Sequence, residues 1–201
     1  ELMKMERIDR VRAALCAQGL TQMIVCDPKS VWYLTGVAVE PYERLLALYL
    51  PTDGEPVLFL NKLFNVSNPP CKTVWHTDTD APVAQIAAVV NAANPLGIDK
   101  EWPAKFLIPL MEAHPGMQVV LSSDCVDDCR ACKDAEEQRL MREASRINDE
   151  VNEAAKHYVK VGMTEREVAE FIDAQFRAHG CEGPSFTTIV SFGANAADPH
   201  H

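Results

Sequence analysis

The apolar positions change their period several times along the chain, and each change marks an element. Ile8, Val11 and Leu15 recur at helical steps with Gly19 behind them, which predicts an amphipathic helix with a glycine stop. The short run MIVC ends at Asp27-Pro28 and reads as a buried strand followed by a turn. RLLALYL and PVLFLN, separated by PTDGE, read as a hairpin. Runs so uniformly apolar belong to strands covered on both faces. From Ala81 the pattern turns helical through Val83, Ile86, Ala87 and Val90 and stops at Asn94-Pro95. LGID then predicts a short strand, EWPAKFLIPLMEAH a helix interrupted by proline, and MQVVLSS another strand. Helices alternating with strands over roughly residues 1–122 indicate an α/β layer architecture.

The texture then changes. DCVDDCRACKD is polar and reads as a linker, placing a domain boundary within residues 123–133 and dividing the chain into 1–128 and 129–201. Asp134 and Glu137 form a D-x-x-E capping pattern ahead of a long helix. Leu140, Ala144, Ile147, Val151, Ala154 and Tyr158 supply its apolar stripe, and Gly162 ends it. Thr164 and Glu167 cap a second helix carrying Val168, Phe171, Ile172 and Phe176, stopped by Gly180. SFTTIVSF predicts one further strand. Two helices and a lone strand leave edge groups unpaired, so the second unit is expected to be incomplete.

Composition narrows the function classes. A formal charge of −10 and a pI near 5.0 exclude nucleic acid and anionic membrane as main partners, which need a basic surface. No apolar run reaches the ~18 residues of a bilayer span. Seven cysteines, an odd number scattered along the chain, fit reduced thiols and a cytoplasmic protein better than a disulfide framework.

Candidate chemistry is sparse. Cys125, Cys129 and Cys132 have C-x3-C-x2-C spacing, which can hold an iron–sulfur cluster with one open iron, as in radical-SAM enzymes. Such loops come early in a barrel, whereas this one comes late. A zinc site would need a fourth ligand that no neighbouring residue supplies. Small residues in a linker are the preferred reading. No nucleophile elbow, P-loop or dinucleotide fingerprint occurs. His76 and His157 sit in apolar or helical surroundings, while His114 and His179 fall near helix ends, so all four read as structural. The remaining pair is His200-His201, and adjacent side chains converge poorly on one ion.

Three segments in order carry a family resemblance. RACKDAEEQRLMREASRINDEV contributes Arg130, Lys133, Glu137 and Ala144; GMTEREVAEF contributes Gly162, Thr164 and Glu165. GPSFTTIVSFGANAADPHH contributes a G-x-N-x-A-x-P-H element at Gly193, Asn195, Ala197, Pro199 and His200. Upstream, VWYLTGV is similar to a Y-L-T-G element, and LGID stands where a G-x-E is usual. Together these resemble the pita-bread metallohydrolases: Xaa-Pro dipeptidases, aminopeptidase P and creatinase. Each piece is weak alone; their order and spacing make the match.

The resemblance implies a ribonuclease-H-like, creatinase-type N-terminal α/β domain followed by the opening of an α+β pita-bread catalytic domain. It implies two divalent ions (Mn, Co, Zn or Fe) and hydrolysis of the bond before proline, with a proline-containing peptide as substrate. It implies a homodimer, whose partner Trp32 and Tyr33 could reach, although plain core packing is the preferred reading of that pair. The family's two Asp, one His and two Glu ligands are expected after residue 201, so this stretch is expected to hold no metal pair and to be inactive alone. The histidine matching His200 is not a ligand in the family. It contacts the substrate and donates a hydrogen bond or proton as charge develops. His201 receives no role. A creatinase-like amidinohydrolase and a non-catalytic binding or dimerisation protein remain the alternatives.

Overall fold

The computed structural model describes residues 3–200, so His201 lies outside the described residues. At its centre β1 (Gln22–Val25) is flanked by β2 (Ala47–Pro51) on one side and β5 (Leu96–Ile98) on the other. β3 (Val57–Asn61) and β4 (Lys72–His76) extend the sheet beyond β2, and β6 (Val119–Leu121) extends it beyond β5. The order is β4-β3-β2-β1-β5-β6. β1/β2 and β2/β3 are antiparallel, while β3/β4, β1/β5 and β5/β6 are parallel.

The apolar runs follow from that sheet. Met23, Val25, Leu48, Leu50, Leu58 and Leu60 belong to one core cluster, together with Ile8, Val11 and Leu15 of α1 (Met5–Ala17). Val31 and Leu34 of α2 (Pro28–Thr35) and Val126 of α5 (Asp124–Ala131) join them. The alternate residues Ile24, Ala47, Tyr49, Val57 and Phe59 belong to a second cluster, with Ile86 of α3 (Pro82–Ala87) and Leu110 of α4 (Ala104–Ala113). Successive side chains of a strand point to opposite faces, and here both faces are covered, so no polar alternation survives in the sequence.

Three elements within residues 1–132 differ from the sequence expectation. Asp27-Pro28 starts α2 rather than a simple turn. Asp27 Oδ2 accepts the Ser30 amide at 2.8 Å, Pro28 takes the first turn, and Gly36 at φ 77° ends the helix. β4 was not legible because it lies on the sheet edge, where Thr73, Val74 and Trp75 are only half-buried. The polar stretch expected as a linker is α5; its buried side chains are confined to Cys125, Val126 and Cys129.

The chain divides into two compact units, 1–132 and 133–201. In the second, α6 (Ala135–Tyr158) begins with a capping box. The Glu137 amide donates to Asp134 Oδ1 and the Asp134 amide to Glu137 Oε2, each at 2.9 Å. α7 (Glu165–Ala178) begins with the same device built from Thr164 and Glu167. Tyr158 and Phe171 stack with ring centroids 3.8 Å apart where the helices meet. The strand expected over 185–192 is absent: no strand ladder includes it, because no partner strand exists among the described residues of this unit. Instead Phe186 and Ile189 help line a groove of about 600 Å³ with Ile147, Val151, Ile172 and Phe176.

Candidate functional site

The G-x-N-x-A-x-P-H element forms a 3₁₀ turn, Gly193–Ala197, entered with Gly193 at φ 55°. Between residues 192 and 200 only Asn195 is half-buried, and the rest are exposed. Asn195 Nδ2 donates to both oxygens of Glu165, each at 3.0 Å. The Phe192 amide donates to Glu165 Oε1 at 2.6 Å. Within the turn, the Asn195 amide donates to the Phe192 carbonyl at 3.1 Å, and the Asp198 amide to the Asn195 carbonyl at 3.0 Å. The His200 amide then donates to Asp198 Oδ1 at 3.0 Å. His200 is therefore an exposed residue whose backbone is braced from two residues upstream.

Glu165 can reach this turn because of how α7 starts. Gly162 at φ 96° turns the chain, Thr164 caps, and Glu165 is the first helical residue. Glu167 is spent on the cap: the Thr164 amide and hydroxyl hold its carboxyl below the usual carboxylate range. Sequence reasoning placed Glu165 in a family motif and gave it no task. The signal was its position beside a capping threonine, which does not reveal a partner 30 residues away.

The other candidates are structural in this arrangement. Cys125 and Cys129 are buried against α1 and Cys132 is exposed. Burial pushes the Cys125 thiol up to about 11 and raises that of Cys129. Buried His76 has its Nε2 3.1 Å from the Leu45 carbonyl oxygen, and His114 Nε2 lies 2.8 Å from that of Ala87. His157 and His179 pair with Glu153 and Glu150. Arg130 Nη1 donates to Asp27 Oδ2 at 3.2 Å and Ser30 Oγ at 3.0 Å, tying α5 to the start of α2. Tyr33 is buried with its hydroxyl donating to the Cys129 carbonyl at 3.2 Å, whereas Trp32 is half exposed. At the carboxyl ends of β1 and β5, Asp99 accepts from the amides of Cys26, Asp27 and Glu101.

Residues 7–132 match the model of the creatinase/prolidase N-terminal domain. The chain belongs to this family. Residues 139–201 of this creatinase/prolidase-family chain match metallopeptidase family M24. An uncharacterised peptidase of Staphylococcus aureus (strain bovine RF122/ET3-1) is 30% identical over 207 residues, covering 98% of this chain and 56% of the relative. A counterpart from Staphylococcus haemolyticus (strain JCSC1435) is also 30% identical, with the same coverage. The chain thus spans about half the length of the curated relatives it matches. Dipeptidase PepE from Mycobacterium ulcerans superposes with TM-score 0.86 at 28% identity, covering 98% of this chain and 55% of that one. A recombinant prolidase from Thermococcus sibiricus shares the fold at TM-score 0.88 and 24% identity, over 100% of this chain and 57% of that one. The fold class is therefore that of the creatinase-type α/β domain followed by the start of the catalytic domain.

The match of residues 139–201 to metallopeptidase family M24 implies divalent metal ions. Among the described residues no group of three or more His, Cys, Asp or Glu side chains converges to hold one. Residues 3–200 therefore do not fit as a ligand set by themselves. No helix among the described residues is long and apolar enough to cross a membrane.

Proposed function

We propose that this chain is part of an Xaa-Pro peptidase of the dipeptidase or aminopeptidase P type, which hydrolyses the peptide bond before proline. The observation that carries the reading is the match to a dipeptidase along 98% of the chain at TM-score 0.86. In this reading the substrate is a proline-containing peptide, and the complete enzyme uses two divalent ions (Mn, Co, Zn or Fe) as a cytoplasmic homodimer.

His200 is the substrate contact. An imidazole holding a proton donates a hydrogen bond to the scissile carbonyl oxygen, and that bond strengthens as negative charge gathers there in the tetrahedral intermediate. Such a donor contributes to rate only if it is held where the charge develops, and the hydrogen bond from the His200 amide to Asp198, which restrains its backbone, supports the reading. The acidic balance of the chain, −10, leaves nucleic acid and anionic membrane out of the proposal.

The test uses protein expressed from the complete reading frame, supplied in turn with Mn, Co, Zn and Fe(II), and assayed against Xaa-Pro dipeptides, longer Xaa-Pro peptides and creatine. Release of the residue before proline is expected. Creatine hydrolysis without peptide cleavage would make the protein an amidinohydrolase instead. Inertness towards all of these, with no metal bound, would make it a binding or dimerisation protein.

A further inference from the structure

Two motifs that look independent in the sequence, Gly162-x-Thr164-Glu165 and Gly193-x-Asn195-x-Ala197-x-Pro199-His200, meet in the structure as one device. A single carboxylate, Glu165, receives three hydrogen bonds from the turn: one from the Phe192 amide and two from the Asn195 side-chain amide. The geometry is directional, since both oxygens of Glu165 face the Nδ2 group of Asn195 and Oε1 also takes the backbone donor at the turn's entrance. Charge-assisted bonds of this kind are roughly twice as strong as neutral ones. Asn195 is also the one half-buried residue in a stretch that is otherwise exposed, so apolar packing contributes little to holding residues 193–200 in place.

From Asn195 the connection continues without a gap. Its carbonyl accepts the Asp198 amide at 3.0 Å, and the Asp198 carboxylate accepts the His200 amide at 3.0 Å. Hydrogen bonds therefore link Glu165, Asn195, Asp198 and the His200 backbone in series, from the first residue of α7 onward. Its origin is also stiff. Glu165 lies in the first turn of a helix fixed by a reciprocal capping box, so its backbone does not share the freedom of the turn it holds.

We infer that Glu165 is a positioning residue for His200. It does not touch substrate; it sets the place of the turn from which the histidine acts. This rests on the reading of His200 as the substrate contact, and it adds that Asn195 serves as the latch to the helix and not as a second substrate contact. Glutamine at position 165 keeps the shape and one acceptor oxygen but loses the charge and the second acceptor. Glu165→Gln should therefore fall between wild type and Glu165→Ala.

The experiment has two arms. In the first, backbone amide relaxation of residues 194–198 and 200 is measured by NMR in the 201-residue chain, for wild type, Glu165→Ala, Glu165→Gln and Thr164→Ala. Loss of order confined to this stretch is expected in Glu165→Ala, with a partial loss in Glu165→Gln. Thr164→Ala, which removes the capping hydroxyl but keeps the Glu165 carboxylate, lowers the melting temperature and should loosen the stretch less than Glu165→Ala does. In the second arm, protein from the complete reading frame is assayed on Xaa-Pro dipeptides. Glu165→Ala should lower kcat about tenfold or more, within the ~10²–10³ that one oxyanion donor supplies, with KM changed less than about twofold. The double variant Glu165→Ala/His200→Ala should be no slower than His200→Ala alone. Wild-type order at 194–200 in Glu165→Ala, or losses that multiply in the double variant, would overturn the inference. Absence of turnover in the wild type would count against the peptidase reading alone, because the first arm still decides whether Glu165 places the turn.

Discussion

Asp99 joins the carboxyl ends of β5 and β1: its Oδ2 accepts the Cys26 amide at 2.5 Å and the Asp27 amide at 2.8 Å. Its Oδ1 accepts the Glu101 amide at 3.0 Å and the Cys26 thiol at 2.8 Å. Both Asp99 and Cys26 are buried. Removing the acceptor strands several donors, each costing about 1–3 kcal/mol when it finds no water. Asp99→Ala should therefore destabilise the first unit by about 2–5 kcal/mol, seen as a lower urea midpoint with an unchanged m-value. Asp99→Asn, which keeps one acceptor, should lose less.

Gly97 is closed to any side chain. A Cβ there would lie 2.5 Å from Ser122 Oγ and 3.2 Å from the Gln22 carbonyl oxygen, and Ser122 is fully buried. Gly97→Ala should cost about 1–3 kcal/mol, the usual penalty of overpacking. Adding Ser122→Ala removes the nearer clash and should recover part of that loss, whereas additive effects would show that the contact is not the cause.

The thiols make an alkaline prediction with a definite sign. Burial pushes Cys125 and Cys71 each up from 9.0 to about 11. Groups with a raised folded value hold their stabilising contribution below the unfolded value and lose it as pH rises. Stability should fall between pH 9 and 11, and Cys125→Ala should flatten that fall in a melting series. At pH 8 iodoacetamide should label exposed Cys16 and Cys132 while sparing Cys26, whose thiol burial and the Asp99 carboxylate raise strongly. Early labelling of Cys26 or Cys125 would contradict the packing.

On the proposed role, His200→Ala should lower kcat of protein from the complete reading frame on Xaa-Pro substrates by about 10²–10³ with little effect on KM, because a bond to the developing oxyanion counts mainly in the transition state. Asp198→Ala, which frees the His200 amide, should produce a smaller fall in the same direction. An equal rise in KM with kcat unchanged would instead make His200 a ground-state binding contact.

What the sequence by itself determined was burial and local capping. The period of its apolar residues records which side chains leave water, so α1, the β2/β3 hairpin, α6 and α7 were readable from stripes and uniform runs. Capping boxes at Asp134 and Thr164 were readable because donor and acceptor lie three residues apart. The family motifs singled out His200 as a candidate, though not the hydrogen bonds that hold its turn. Tertiary structure decided the rest wherever a partner lies far along the chain. Residues 185–192 have a strand's composition but no ladder, since a strand exists only when another edge offers its backbone groups. The polar segment around Cys125 became a helix because the core beside α1 accepted just three of its side chains. Glu165 acquired its partner only when the chain returned 30 residues later to bring Asn195 against the start of α7. Spacing along a sequence reports local geometry; a hydrogen bond between distant residues depends on where the fold brings the chain back.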